Sequence, residues 1–278
     1  IDQSALGSLF AVKSKDSQAI SSVKITDPAS ALLTIKVNKY GSLTITKRDD
    51  RNSLVPNTSF KISYNADMND PIGTYTTGKD GTVTINELLP QTVYIQETSV
   101  PEHLILDSTI RSIEIVPNET VYFSATNDWK QGKIQVVKKD AETGETVKKA
   151  GTQFDILNTS NQVVQTTTTN SEGVAISDFL DYGTYKVKEK TAPDGYTVNV
   201  SESNPIAVVE NNQTYTVDIF NDQVRGSITL QKEFDDTESG MTGDAVLNGV
   251  TYELHAHENI LNPTDGSILY AKDSVIPN

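Results

Sequence analysis

The sequence predicts an all-β protein built of tandem β-sandwich modules, and three observations carry that reading. Three segments open alike, GSLTITKRDD from Gly41, GKIQVVKKDAETG from Gly132 and GSITLQKEFDD from Gly226, so the chain holds an internal repeat of about ninety residues. In each opening, apolar and polar residues alternate until a lysine is reached: Leu43, Ile45 and Lys47; Ile134, Val136 and Lys138; Ile228, Leu230 and Lys232. A period of two marks a strand with one buried face. Short runs of this kind, punctuated by Gly, Pro, Asn and Asp and free of any helical stripe, read as sandwiches.

The elements come in the same order in each copy. A second strand is expected around Phe60 (NTSFKISY), Phe154 (GTQFDILN) and Tyr252 (GVTYELHA), after a connection that lengthens from copy to copy. Turns are expected at Asp80-Gly81 and Glu172-Gly173. A strand and a proline turn come next, VYIQETSVPEHL to Leu104 and YKVKEKTAPDGY to Tyr196, and VYFSATND and YTVDIFND close the two full copies. The third copy reaches Asn278 without a proline turn or closing strand. Boundaries therefore fall at 1–40, 41–131, 132–225 and 226–278. The first stretch, with its strand-like LLTIKV, is expected to end a preceding β domain. The short linkers Asp128–Gln131 and Asp222–Arg225 favour a semi-rigid rod.

Composition narrows the function. A net charge of -14 argues against nucleic acid or an anionic membrane as partner, since both are bound by clustered Lys and Arg. The chain has no cysteine, hence neither disulfides nor thiolate metal sites. No run of eighteen apolar residues is present, so no membrane insertion is expected in this segment, and the opening IDQSALGSLF lacks the regions of a signal peptide. The chain reads as an internal segment, with any export signal or anchor lying outside it. Of the three histidines, His103, His255 and His257, the last two lie two apart on a strand pattern, but no third ligand is evident and no metal or cofactor is expected.

In each complete copy three polar residues occupy positions that the alternation assigns to the apolar face. Lys47 continues Leu43 and Ile45; Glu97 continues Val93 and Ile95; Asn127 continues Val121, Phe123 and Ala125. The second copy repeats this with Lys138, with Glu189 after Tyr185 and Val187, and with Asn221 after Tyr215, Val217 and Ile219. Any one of them alone reads as a strand end turning to water. Two matched sets do not, because buried Lys and Glu are costly without compensation and so point to a shared purpose.

With GSLTITKRDD, GKIQVVKKDAETG, YKVKEKTAPDGY and TVDIFN in view, the chain resembles the Cna B-type, or SpaA-like, repeats of Gram-positive surface adhesins and pilins. The likeness covers 41–225 and the first half of a module within 226–278; in the first copy VPEHL lacks the Gly and Tyr of APDGY. The resemblance implies Ig-like or prealbumin-like sandwiches and isopeptide cross-links from Lys47 to Asn127 and from Lys138 to Asn221, promoted by Glu97 and Glu189. Lys232 would be a lysine without partners. Burial would favour a neutral amine and a protonated acid, the forms this self-processing needs. It also implies a place at the cell wall, attached to peptidoglycan through the parent protein's anchor.

Other signals are weaker. LPQT at Leu89–Thr92 has the look of a sorting signal, but Val93 stands where Gly is expected and no apolar tail comes after it, so it reads as a turn. The acidic DDTESGMTGD at Asp235–Asp244 lacks the terminal Glu of a calcium loop. Asn118-Glu119-Thr120 and Asn212-Gln213-Thr214 fit the glycosylation pattern, a common match. The principal expectation is a structural stalk segment without enzyme activity on an external substrate. The alternatives are modules that bind a host matrix protein or a glycan, and spacers of a secreted glycosidase.

Overall fold

The computed structural model describes residues 19–27, 32–38, 40–231 and 251–277. Every regular element among them is a strand, and the chain divides into two compact units, 1–130 and 131–278. The first opens with β1 (Ala19–Asp27) and β2 (Leu32–Asn38), an antiparallel pair that contains the expected LLTIKV strand.

The repeat that starts at Gly41 is a two-sheet sandwich. Its strands are β3 (Gly41–Asp49), β4 (Ser59–Ser63), β5 (Pro71–Thr76), β6 (Thr82–Leu88), β7 (Thr92–Ser99), β8 (Arg111–Glu114) and β9 (Thr120–Asn127). One sheet has the order β6-β3-β9, the other β5-β4-β7-β8. β3 is antiparallel to β6 but parallel to β9, so the first and last strands of the module lie side by side. Along β3 burial alternates without a break, as the sequence pattern requires. Leu43, Ile45, Phe60, Ile62, Val93 and Ile95 close the space between the sheets.

The second repeat has the same plan. Its strands are β10 (Gln131–Asp140), β11 (Gln153–Asn158), β12 (Val163–Thr168), β13 (Val174–Ile176), β14 (Leu180–Asp181), β15 (Gly183–Glu189), β16 (Ile206–Val208) and β17 (Thr214–Asn221). β10 pairs antiparallel with β13 and β14 and parallel with β17, facing the sheet β12-β11-β15-β16. Phe154, wholly buried in this core, contributes roughly 1.5–3 kcal/mol by leaving water.

The turns sit where the sequence put them. Gly81 and Gly173 have φ of +67° and +73°, and a Cβ on Gly173 would stand 2.1 Å from the carbonyl oxygen of Val147, so only glycine fits. Their own carbonyls accept from the backbone N–H of Lys47 (2.8 Å) and Lys138 (2.9 Å), which ties each turn to its lysine. The proline turn forms in both copies: Leu104 N–H donates to Pro101 (2.9 Å) and Tyr196 N–H to Pro193 (3.1 Å). Leu104 thus takes the buried place of Tyr196 despite the altered motif. LPQT lies at the turn between β6 and β7, and Asn118 and Asn212 occupy left-handed turn positions before β9 and β17.

The third copy departs from expectation. Residues 226–231 form no strand, and Ile228 and Leu230 are 77% and 65% exposed. In the two complete modules the opening strand is held by an antiparallel partner, β6 or β13, and by the closing strand; among the described residues after 226 there is no counterpart of that closing strand. The expected strand around Tyr252 shrinks to β18 (Leu254–His255), paired with β21 (Val275–Ile276), beside the pair β19 (Ile260–Leu261) and β20 (Ile268–Tyr270). Thr264, between β19 and β20, is buried against the second module: its carbonyl accepts from Lys148 N–H at 2.8 Å and its hydroxyl meets Tyr196 at 3.1 Å. Lys232 and the acidic loop 235–244 lie outside the described residues.

Candidate functional site

Each module carries one polar cluster inside its core, built the same way twice. Lys47 on β3 and Lys138 on β10 are wholly buried, because the alternation that seats Leu43 and Ile45, or Ile134 and Val136, turns them inward as well. In the parallel register Lys47 stands opposite Ala125 and Lys138 opposite Ile219. Asn127 and Asn221, two residues further along β9 and β17, therefore share the lysine's sheet and face. They are 4% and 2% exposed.

The acid comes from the other sheet. Glu97 on β7 pairs across the ladder with Phe60, and Glu189 on β15 with Phe154; the two acids are 5% and 4% exposed. Asn127 Nδ2 donates to Glu97 Oε2 at 2.6 Å and to the carbonyl of Ile105; Asn221 Nδ2 donates to Glu189 at 2.9 and 2.7 Å. A backbone N–H ten residues on also reaches each acid, from Asp107 (3.1 Å) and Asn199 (2.7 Å). The lysine Nζ atoms donate to carbonyls, Arg48 at 2.6 Å for Lys47, and Lys139 and Ile219, both at 3.0 Å, for Lys138, whose Nζ also lies 5.8 Å from the centroid of the Tyr196 ring. All six residues predicted from the sequence are brought into these two clusters.

Burial sets the protonation states. Desolvation lowers the Lys47 amine and brings that of Lys138 down to about 8, against the pull of Glu97 and Glu189. The same desolvation raises both carboxyls, opposed by their hydrogen bonds from Asn127, Asp107, Asn199 and Asn221. Amine and acid are thus both biased towards neutrality. The Oδ1 atoms of Asn127 and Asn221 and Oε1 of Glu97 are buried and accept no hydrogen bond, a state that costs about 1–3 kcal/mol per group. A cavity of about 240 Å3, lined in part by Phe60, Glu97, Arg111, Phe123 and Asn127, reaches the first cluster.

Sequence reasoning missed the residues next to these clusters. Asp49 and Asp140 come two positions after the lysines and are also buried, so the inward series Leu43, Ile45, Lys47, Asp49 was there to be extended. Trp129, read as a linker residue, donates to Asp49; Tyr196 and Gln223 donate to Asp140. His103 packs on Trp129. His255 bonds to Glu253 and to the carbonyl of Asp273, and β18 stops before His257. Among the described residues no group of three or more His, Asp or Glu could hold a metal, and no helix is long and apolar enough to cross a membrane.

Fold and clusters together define tandem all-β sandwich modules whose repeated polar chemistry is turned inward, between the first and last strands of each. The chain belongs to the SpaA family: the model of its prealbumin-like fold domain matches residues 41–129 and 132–223, more than half of the chain. It is similar to the trypsin-resistant surface T6 protein of Streptococcus pyogenes, 45% identical over 49 residues, which make up 18% of this chain and 9% of that protein. Among solved structures, the TIE protein of Bacillus anthracis superposes with a TM-score of 0.61 at 23% identity, over 69% of this chain and 37% of that one. GBS52, the minor pilin of Streptococcus agalactiae, aligns at 16% identity over 69% of this chain and all of that one, with a TM-score of 0.34. The chain thus spans a minor part of the length of the first two.

Proposed function

We propose that this chain is a stalk segment of a cell-wall-attached surface adhesin or pilin, stiffened by isopeptide bonds from Lys47 to Asn127 and from Lys138 to Asn221. The observation that carries the proposal is the double occurrence of a buried Lys, Glu and Asn in one arrangement, with burial biasing amine and acid towards their neutral forms. Neutral Nζ attacks Cγ of the asparagine and a C–N bond forms. A half-turn of the carboxamide brings the orphan Oδ1 onto the protonated glutamic acid, which polarises the carbonyl. The acid then takes a proton from Nζ and passes one to Nδ2, which leaves as ammonia. One amine and one carboxamide become one secondary amide and ammonia; in the first module the cavity beside Glu97 and Asn127 offers that ammonia a way out. Each module does this once, so the chemistry serves construction and not turnover.

The mechanical argument is local to each module. Tension enters along β3 and leaves after β9, and a Lys47–Asn127 bond joins the two strands near their exits, so the residues between would carry none of it. The trypsin resistance in the name of the streptococcal relative is the behaviour such bonds would give this chain. Peptidoglycan attachment and a host matrix or glycan ligand belong to the parent protein. Intact-mass measurement tests the chemistry: the purified chain is expected to be lighter than its sequence by two molecules of ammonia, and an unmodified mass would sink the proposal.

A second expectation concerns pH. In Asn221→Ala the amine of Lys138 stays unreacted, with a pKa near 8 in the folded state against an ordinary 10.5. Between these values the unfolded chain binds the extra proton, so stability must rise with pH. Chemical denaturation from pH 8 to 9.5, below the range of the tyrosines, should show the variant gaining stability relative to the linked chain, whose Lys138 nitrogen is an amide. Parallel pH dependence in the two proteins would contradict it.

A further inference from the structure

Two positions beyond each lysine an aspartate continues the inward face of the first strand: Asp49 and Asp140, 5% and 0% exposed. In the parallel register each stands opposite the asparagine, Asp49 against Asn127 and Asp140 against Asn221. One carboxylate oxygen holds its own chain. Asp49 Oδ1 accepts from the backbone N–H of Arg51 (3.0 Å) and Ser53 (2.7 Å), Asp140 Oδ1 from Glu142 and Thr143 (both 2.9 Å). The other oxygen reaches the residue two places past the asparagine. Asp49 Oδ2 accepts from Trp129 Nε1 at 3.1 Å; Asp140 Oδ2 accepts from Gln223 Nε2 at 2.7 Å and from the Tyr196 hydroxyl at 2.8 Å. Trp129 is itself held, its ring centroid 4.4 Å from that of His103 and 4.2 Å from the Arg51 guanidinium.

We propose that Asp49 and Asp140 are positioning residues for the cross-linking reaction, each clamping the chain just past the asparagine to the end of the lysine strand. The inference rests on the cross-linking reading above. Asn127 and Asn221 are the last residues of β9 and β17, and strand ends open at little cost unless something holds them. Charge-assisted hydrogen bonds are the strong kind, and a displacement of about 1 Å at a reacting centre can cost up to about a hundredfold in rate. Activation of the lysine is not the explanation, since both carboxylates favour the charged ammonium and so oppose the attack. The clamp must act through geometry.

The two clamps differ in a way that makes them testable. Indole Nε1 can only donate, so Asp49→Asn sets an amide N–H against an N–H. The Gln223 carboxamide can turn over and accept, so Asp140→Asn can be accommodated. The full chain would be made by cell-free synthesis, sampled over time, denatured and digested with trypsin, and both branched peptides quantified by mass spectrometry. Asp49→Ala, Asp49→Asn and Trp129→Phe should slow the first link by up to about a hundredfold. Asp140→Ala should slow the second, and Asp140→Asn should leave it near the unsubstituted rate, the branched peptide of the untouched module serving each time as the internal control for synthesis and digestion. Unchanged rates in both alanine variants, or equal slowing by both asparagine variants, would overturn the clamp. Should the alanine variants not fold, an unsubstituted rate in Trp129→Phe or a slowed second link in Asp140→Asn overturns it. Absence of both branched peptides from the unsubstituted chain would remove the cross-linking itself, and the clamp's role with it.

Discussion

Glu189→Ala is expected to leave Lys138 and Asn221 unlinked in a module that still folds. General acid–base catalysis of this kind contributes about a hundredfold or more, so the branched peptide joining the two residues should fall below detection in freshly made protein. The Lys47–Asn127 peptide of the same molecules is the internal control. Alanine also strands the N–H of Asn199, which now reaches Glu189 at 2.7 Å, a loss of about 1–3 kcal/mol that would lower the melting temperature by itself. Glu189→Gln separates the two effects, because it keeps an acceptor for Asn199 but cannot shuttle a proton. Both variants should fail to link, and the glutamine variant should melt higher. If Glu189 served only as an ion-pair partner of Lys138, the glutamine variant would link at the ordinary yield, and that result would exclude it as promoter.

Asn127→Ala and Asn221→Ala should each cost their module the stabilisation of a closed covalent loop. By analogy with disulfides, a loop of this length contributes about 4 to 5 kcal/mol. For a domain of this size that corresponds to a fall of about 20 to 30 °C in the melting temperature of the affected module. Pulling single molecules gives a sharper reading. The unsubstituted module should not lengthen before the handles fail, whereas the released 79 residues between Lys47 and Asn127 should extend the Asn127→Ala chain by on the order of 250 Å. A similar unfolding step in both proteins would mean that the loop was never closed.

Much of this was legible in the sequence because a strand reports its faces with a period of two. Lys47, Glu97 and Asn127 could be picked out since each sat where an apolar residue belonged, and the second copy did the same. The order of strands around the two glycine turns was readable for a similar reason: a local pattern fixes a local structure. What stayed hidden is non-local. The bond from Trp129 to Asp49 joins residues 80 apart, and nothing about a tryptophan after a strand end announces its partner. Leu104 in the place of Tyr196 conceals the likeness further, for it has no hydroxyl to donate as Tyr196 does to Asp140. Residues 226–231 show the converse. Ile228 and Leu230 alternate as well as any pair in the chain, yet alternation creates only a face, and a strand also needs neighbours for its backbone.

The parallel union of β10 with β17 imposes an order of events. A chain emerging amino end first, from a ribosome or a translocation pore, presents Lys138 while Asn221 is still eighty-three residues behind. β11, β12 and β15 can assemble in the meantime, but one side of β10 stays vacant until the eight residues of β17 arrive. Until then a half-emerged module holds no knot and can still be drawn through a narrow opening. The element that completes the fold is the one that carries the asparagine, so closure is timed by the arrival of the module's own tail.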